Sequence, residues 1–194
     1  MLFVRRAALG TAAGAVVGLV VGGIWGRAFM ALLAALNAED HGTRTDDGFA
    51  MGQFTVGGTL NLALVAAIIG AIGGLVFLAV RGLRFGPDWF RVVSVPVGAT
   101  VVVGSLLVHS DGVDFSRLEP LGLAVALTLS MPLLYAAGVS WLGDRWLGSG
   151  PTLWDRLPTG ALWASRACLA ANVLLAGIDL VRTVANILDG NPFN

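Results

Sequence analysis

Charge is what this sequence has least of. Charged residues make up 12% of the 194-residue chain, which is about half the share that a soluble domain carries. Every basic residue is an arginine, and the absence of lysine excludes Schiff-base chemistry on a lysine amine. The net charge is zero, so there is no electrostatic basis for binding nucleic acid. The single cysteine, Cys168, excludes an internal disulfide and a multi-cysteine metal site.

Catalytic motifs are also missing. The sequence contains no GxSxG elbow, no phosphate-binding P-loop, no dinucleotide fingerprint and no HExxH metal motif. Cys168 lies among alanines and leucines with no neighbouring base, which is typical of a cysteine that serves as a small apolar side chain. We therefore expect a protein that is not an enzyme.

Long apolar runs dominate what is present: 56% of the residues are hydrophobic, and the mean hydropathy is +0.81. A helix needs about 20 apolar residues to cross a hydrocarbon core of ~30 Å. The sequence therefore predicts an all-α, polytopic transmembrane helical bundle of about five spans, forming a single domain over residues 1–194. The first run is longer than the apolar core of a signal peptide, so we expect it to remain as a span. The predicted spans are residues 7–26 with an apolar extension to 37, 54–80, 92–108, 120–142 and 161–188.

The arginines predict an orientation for this bundle. Arginine and lysine concentrate in the cytoplasmic connectors of membrane proteins, and an N-in, C-out topology places eight of the twelve basic residues inside. Most of the acidic residues then fall outside. The sequence predicts a multi-pass protein of the cell membrane in this orientation. The arginines predicted to lie inside are Arg5, Arg6, Arg81, Arg84, Arg91, Arg145, Arg156 and Arg166.

Glycines recur every four residues along the first span. Glycine at this spacing leaves a flat helix face against which another helix backbone can pack closely. One interpretation is packing against another helix of the same chain, and Gly70, Gly73 and Gly74 of the second span offer a matching surface. The other is a contact with another subunit, such as a ring of first spans in a homo-oligomer. The repeated residues are Gly10, Gly14, Gly18, Gly22 and Gly26.

Polar residues form a stripe along the fifth span, which we call the polar stripe: Ser165, Asn172, Asp179, Arg182 and Asn186. Four of these residues are seven positions apart and therefore share one side of a helix. Polar side chains within a bilayer are costly and usually face protein or a watery cavity. Three interpretations remain open: structural pairing of Asp179 with Arg182 or Arg27, a path for ions or protons, and a helix lying flat at the membrane surface.

Both histidines of the chain lie in acidic connectors that the topology places outside. If these connectors meet, their imidazoles and carboxylates offer ligands for an external divalent cation, Zn²⁺ or Mn²⁺ with histidine and Ca²⁺ without it. The spacing matches no known metal motif, and solvated acidic loops are the alternative interpretation. We expect no other cofactor. The candidate ligands are His41, Asp46, Asp47, His109, Asp111 and Asp114.

Two functional hypotheses follow from these features. The polar stripe and the acidic connectors favour a small oligomeric channel or transport protein for a cation or proton. The alternative is a non-catalytic scaffold or accessory subunit that docks through the glycine face of the first span. The expected partners are the lipid bilayer and either further copies of the chain or another membrane protein, with no nucleic acid.

Overall fold

A computed structural model describes residues 2–37, 55–109, 120–148 and 150–189. All regular secondary structure among these residues is helical. Helix α1 (Leu2–Gly18), a π-helical segment (Leu19–Trp25) and α2 (Gly26–Leu36) follow one another without a break. The later elements are α3 (Val56–Arg81), α4 (Asp88–Leu107), α5 (Leu121–Leu147), a short 3₁₀ turn (Leu153–Arg156) and α6 (Thr159–Leu188).

Five helices within the described part of the chain are long and apolar enough to cross a membrane. The first is the continuous helix Phe3–Leu36, and the others are α3, α4, α5 and α6. This confirms the predicted all-α fold with five spans, which is compatible with an integral membrane protein. The N-in, C-out orientation and the cell membrane as location stay predictions.

The observed helices extend beyond some of the predicted spans. Helix α5 continues to Leu147, past the predicted end at 142, and α4 already begins at Asp88, ahead of the predicted start at 92. The added turn of α5 carries Asp144 and Arg145. Hydropathy marks where the hydrocarbon core ends, but helical hydrogen bonding can continue into the polar interface.

The π-helical segment adjusts the direction of the first-span glycines. On an α-helix, residues four apart are rotated by about 40° from one another, so five glycines at this spacing would wind around the helix. A π-helix has wider turns and therefore reduces this rotation. Gly22, within the π segment, still faces Ala66 of α3, whereas a Cβ atom on Gly26 would lie 3.3 Å from Met131 of α5 and 3.8 Å from Leu62 of α3.

The helices pack as a row with α6 at one end. The first span packs most extensively against α3 and also contacts α5, while α5 packs against α4, and α4 packs against α6. Phe77 of α3 joins Val139 and Leu147 of α5 in one buried cluster. A second cluster includes Val125 of α5 and Leu180 of α6. Helix α6 is thus held mainly by α4 and lies at the periphery.

Candidate functional site

The glycine face of the first span lies against α3. A Cβ atom on Gly14 would be 2.8 Å from the Cα of Gly74, and one on Gly18 would be 2.9 Å from the Cα of Gly70. These distances are shorter than side chains tolerate, so the two backbones approach as closely as glycine allows. The structure therefore brings Gly14 and Gly18 together with α3 of the same chain. This part of the face is covered within the protomer.

Gly73 of α3 faces a different helix. A Cβ atom on Gly73 would lie 2.9 Å from the ring of Tyr135 on α5. The Tyr135 hydroxyl donates a hydrogen bond of 2.6 Å to the backbone carbonyl of Gly70. Tyr135 is the only tyrosine of the chain, and its hydroxyl joins α5 to α3 beside the glycine contact. The glycine spacing does not predict this bond, because it depends on a third helix.

A cluster of ionic contacts joins α3 and α5 at one end of the bundle. Both guanidinium Nη atoms of Arg84 donate to the Asp144 carboxylate, at 2.8 and 2.7 Å. The Nε atom of Arg81 lies 3.0 Å from the same carboxylate. The side chains of Arg81 and Arg84 are only 11% and 15% exposed. One carboxylate therefore neutralises two largely covered arginines. The sequence pattern does not predict this contact, because Asp144 follows Arg84 by 60 residues.

The segment between α5 and α6 is held at the same end. Arg6 of α1 donates to the backbone carbonyl of Pro151, and Trp154 donates from its indole to the carbonyl of Ala79 at 2.6 Å. Asp155 accepts hydrogen bonds from the hydroxyl and the backbone N–H of Thr152. These bonds lower the pKa of the Asp155 carboxyl below its ordinary value. The segment is thus fixed to the ends of α1 and α3.

Arg166 anchors the beginning of α6 in the same region. Its Nε donates to the carbonyl of Leu83 at 3.1 Å. Its guanidinium lies over the rings of Trp163 and Phe85, at 4.9 and 5.4 Å from their centres. Arginine and tryptophan are the residues that commonly sit at the boundary between lipid and water. Arg166 and Trp163 are therefore expected to lie at such a boundary on α6.

Helix α6 packs on α4 through one side only. Val173 and Leu180 lie against Gly98 and Gly104 of α4, respectively. Of the most apolar stretch of α6, 6% is buried, compared with 28% for that of α5. Helix α6 therefore has the smallest buried share of the five candidate spans in the described part of the chain.

The uncovered side of α6 carries the charged part of the polar stripe. Asn172, Asp179 and Arg182 are exposed, whereas Ser165 and Asn186 are half-buried. Within the described part of the chain, Asp179 forms no ion pair with Arg182 or Arg27. We define the α6 face as five exposed residues along this side: Cys168, Asn172, Leu175, Asp179 and Arg182.

The predicted cation ligands are not brought together by the described structure. His109 is exposed just after the end of α4. His41, Asp46, Asp47, Asp111 and Asp114 lie outside the described residues. Among the residues that the structure does describe, no group of three or more His, Cys, Asp or Glu side chains is positioned to hold a metal ion. The external divalent cation stays a prediction.

Comparison with protein-family models, with curated proteins and with solved structures finds no match to this chain. The functional argument therefore rests on the α6 face and its position in the bundle.

Proposed function

We propose that this protein is a non-catalytic subunit of a membrane-protein assembly, which it joins through the α6 face. The observation that carries the proposal is the exposure of Asp179, Arg182 and Asn172 on one side of a predicted span. Lipid tails offer no hydrogen bonds to such groups, so polar residues in spans face protein or water. A neighbouring protein that covers the α6 face provides that environment.

The depth of Asp179 strengthens this argument. Asp179 follows Arg166 by thirteen residues, which is about 20 Å along the helix axis. With Arg166 at one boundary, Asp179 lies well inside a hydrocarbon core of ~30 Å. An aspartate facing lipid at the centre of the bilayer costs about 2.5–3.5 kcal/mol, and Asp179, about 10 Å from the far boundary, carries part of this cost. A partner that pairs the carboxylate removes much of this cost, so assembly is favoured over an isolated protomer.

The location of the docking surface differs from the one that the sequence suggested for an accessory subunit. The glycine face of the first span packs on α3 through Gly14 and Gly18, so it offers little free surface to another protein there. The α6 face is uncovered and polar. We therefore assign docking to α6.

Replacing Asp179 by leucine is expected to release the protein from its assembly without unfolding the protomer. The side chain of Asp179 is exposed, so the substitution removes a charge from the uncovered side of α6 and leaves Val173 and Leu180 in contact with α4. The measurement is native mass spectrometry of the protein extracted from its membrane in polymer nanodiscs. Wild type is expected at a mass well above that of the 20.0 kDa chain, and the variant at the mass of one chain.

The control for this experiment is Leu174→Ala, which alters another exposed position on a different side of α6 and is expected to leave the assembly intact. A wild-type protein found only as a single chain in these nanodiscs would contradict the proposed function.

Transport of a cation or proton is the second candidate function, favoured by the carboxylate of Asp179. If several α6 helices surround a shared space, Asn172, Asp179 and Arg182 line it and supply polar groups to a path between subunits. In this case Asp179→Asn is expected to abolish ion or proton flux into proteoliposomes containing the purified protein, because the amide cannot carry the charge or release the proton. Flux that is absent in wild type, or equal in the variant, contradicts transport through the α6 face and leaves the accessory function.

A further inference from the structure

We infer that the neighbour covering the α6 face is a second copy of this chain, lying parallel to the first with the two α6 helices in contact. This inference rests on the proposed docking function and identifies the partner. It is drawn from the spacing, the charges and the exposure of the five residues of the α6 face.

The spacing of the α6 face suits a second helix lying alongside. Its residues follow one another at intervals of four, three, four and three positions, an average of 3.5. This is the repeat with which two helices remain in contact along their length at a crossing angle of about 20°. All five residues are exposed in the protomer. The α6 face is therefore accessible along its length and can form a continuous seam of contact with a second helix.

The charges of the α6 face are complementary to themselves. Asp179 and Arg182 lie one turn apart, and together they have no net charge. When a two-fold axis relates two parallel copies, the same surface meets itself. Asp179 then lies opposite Asp179 of the other copy and Arg182 opposite Arg182. Side chains on a helix point back toward its amino end, so each long Arg182 side chain can extend one turn back to the Asp179 carboxylate of the other copy and form two ion pairs. A second copy provides this match by symmetry, whereas a different protein would need its own matching charges.

The residues in the first half of the α6 face, around Cys168 and Asn172, favour the same arrangement. Asn172 occupies a seam position, and an asparagine at such a position pairs with its counterpart and fixes the register of a parallel helix pair. Cys168 and the neighbouring Ala164 and Ala171 are small and exposed, so the two helices can approach closely at this level. The arginine distribution favours one orientation for every copy, which makes the pair parallel.

The lone cysteine allows the contact to be tested in the wild-type protein. In a parallel pair, Cys168 of one copy faces Cys168 of the other. Mild oxidation of native membranes with copper phenanthroline is expected to link the two thiols, giving a product of twice the mass of the 20.0 kDa chain. Two further variants place the single thiol of the chain at another position on α6, one on the α6 face and one beside it. Cys168→Ala combined with Leu175→Cys places it on the α6 face seven residues later, and this variant is expected to cross-link as readily.

Cys168→Ala combined with Leu174→Cys is the matched control. Leu174 and Leu175 are 66% and 67% exposed, but they are rotated by about 100° from one another. The thiol at 174 is therefore equally accessible and off the seam, and it is expected to cross-link at least about tenfold less, since thiols must approach within a few ångströms to bond. Equal cross-linking at 174 and 175 would show random collisions and overturn the inference.

Charge reversal tests the ion pairs directly. Asp179→Arg or Arg182→Asp alone leaves four charges of one sign, and no opposite charge, at this level of the pair, and each is expected to lower Cys168 cross-linking about tenfold. The double variant restores one acid and one base on each copy. It is expected to recover cross-linking to within about twofold of wild type. A double variant that remains as impaired as the single ones would contradict the paired arrangement.

The mass of the complex in native nanodiscs separates this inference from the proposed function. Two copies of the chain in one particle support both. One copy together with a different protein overturns the second-copy inference and retains the docking function. One copy alone overturns both.

Discussion

Replacing Gly14 by alanine is expected to lower the unfolding free energy by about 1–3 kcal/mol, the usual cost of overpacking a fitted interior. Alanine is the better helix former by about 1 kcal/mol, so propensity alone predicts the opposite sign. The destabilisation arises because the new Cβ would lie 2.8 Å from the Cα of Gly74, and the two helix backbones must move apart. Leucine at the same position is expected to separate α1 from α3 and to prevent a stable fold.

The matched control for Gly14 is Gly57→Ala. Gly57 lies in the first turn of α3, and among the described residues outside its own helix backbone no atom comes within 4 Å of a Cβ built on it. Alanine there is expected to be neutral or slightly stabilising. Both variants can be followed by tryptophan fluorescence during unfolding in mixed micelles of mild detergent and dodecyl sulfate. Equal stability of Gly14→Ala and wild type would show that the close contact of α1 with α3 does not hold the bundle together.

Replacing Asp144 by asparagine is expected to cost about 1.5–3 kcal/mol, the range for hydrogen bonds that involve charged groups. The amide keeps the size of the side chain but cannot accept both guanidinium bonds from Arg84 or neutralise Arg81. The two arginine side chains are largely covered, so water replaces the lost partner only in part. The carboxylate itself is 41% exposed, which keeps the expected loss below that of a fully buried pair.

Asp88→Asn is the control for this prediction. Asp88 lies 3.9 Å from Arg91, and both side chains are well exposed, so this pair is expected to contribute less than about 1 kcal/mol. The same unfolding assay applies. If the two asparagine variants lose the same stability, the cluster around Asp144 is an ordinary surface contact and does not lock α3 to α5.

The fold was predictable because crossing a bilayer requires only a local feature of the sequence, a long run of apolar residues. Each span needs only a sufficient run of apolar residues, and the sequence shows this run without knowledge of any contact. The ends were less predictable. Helix α5 continues through Asp144 to Leu147, since backbone hydrogen bonding holds the helix after the hydropathy has fallen. The π-helical segment Leu19–Trp25 was also missed, because no residue in the glycine repeat signals a widened turn.

The candidate site was predictable only in part. The seven-residue spacing of Asn172 and Asp179 predicts that they share one side of a helix, but it does not tell whether that side faces in or out. The answer depends on α4, whose Gly98 and Gly104 receive Val173 and Leu180 of α6 and turn the polar side outward. Contacts such as those of Arg84 with Asp144 combine residues far apart in sequence, and no periodicity links them.

The peripheral position of α6 has a consequence for the order in which the protein is made. A chain is synthesised from its amino end, and its early segments can associate before the later ones emerge. The first span and α3 are consecutive spans and share the most extensive contact among the described helices, so they can pair while the rest is still on the ribosome. Helix α6 is the last of the five to enter the membrane, and it carries the proposed docking surface. The proposed contact between copies can therefore form only after the other four spans have been inserted, which would keep an unfinished chain out of the proposed assembly.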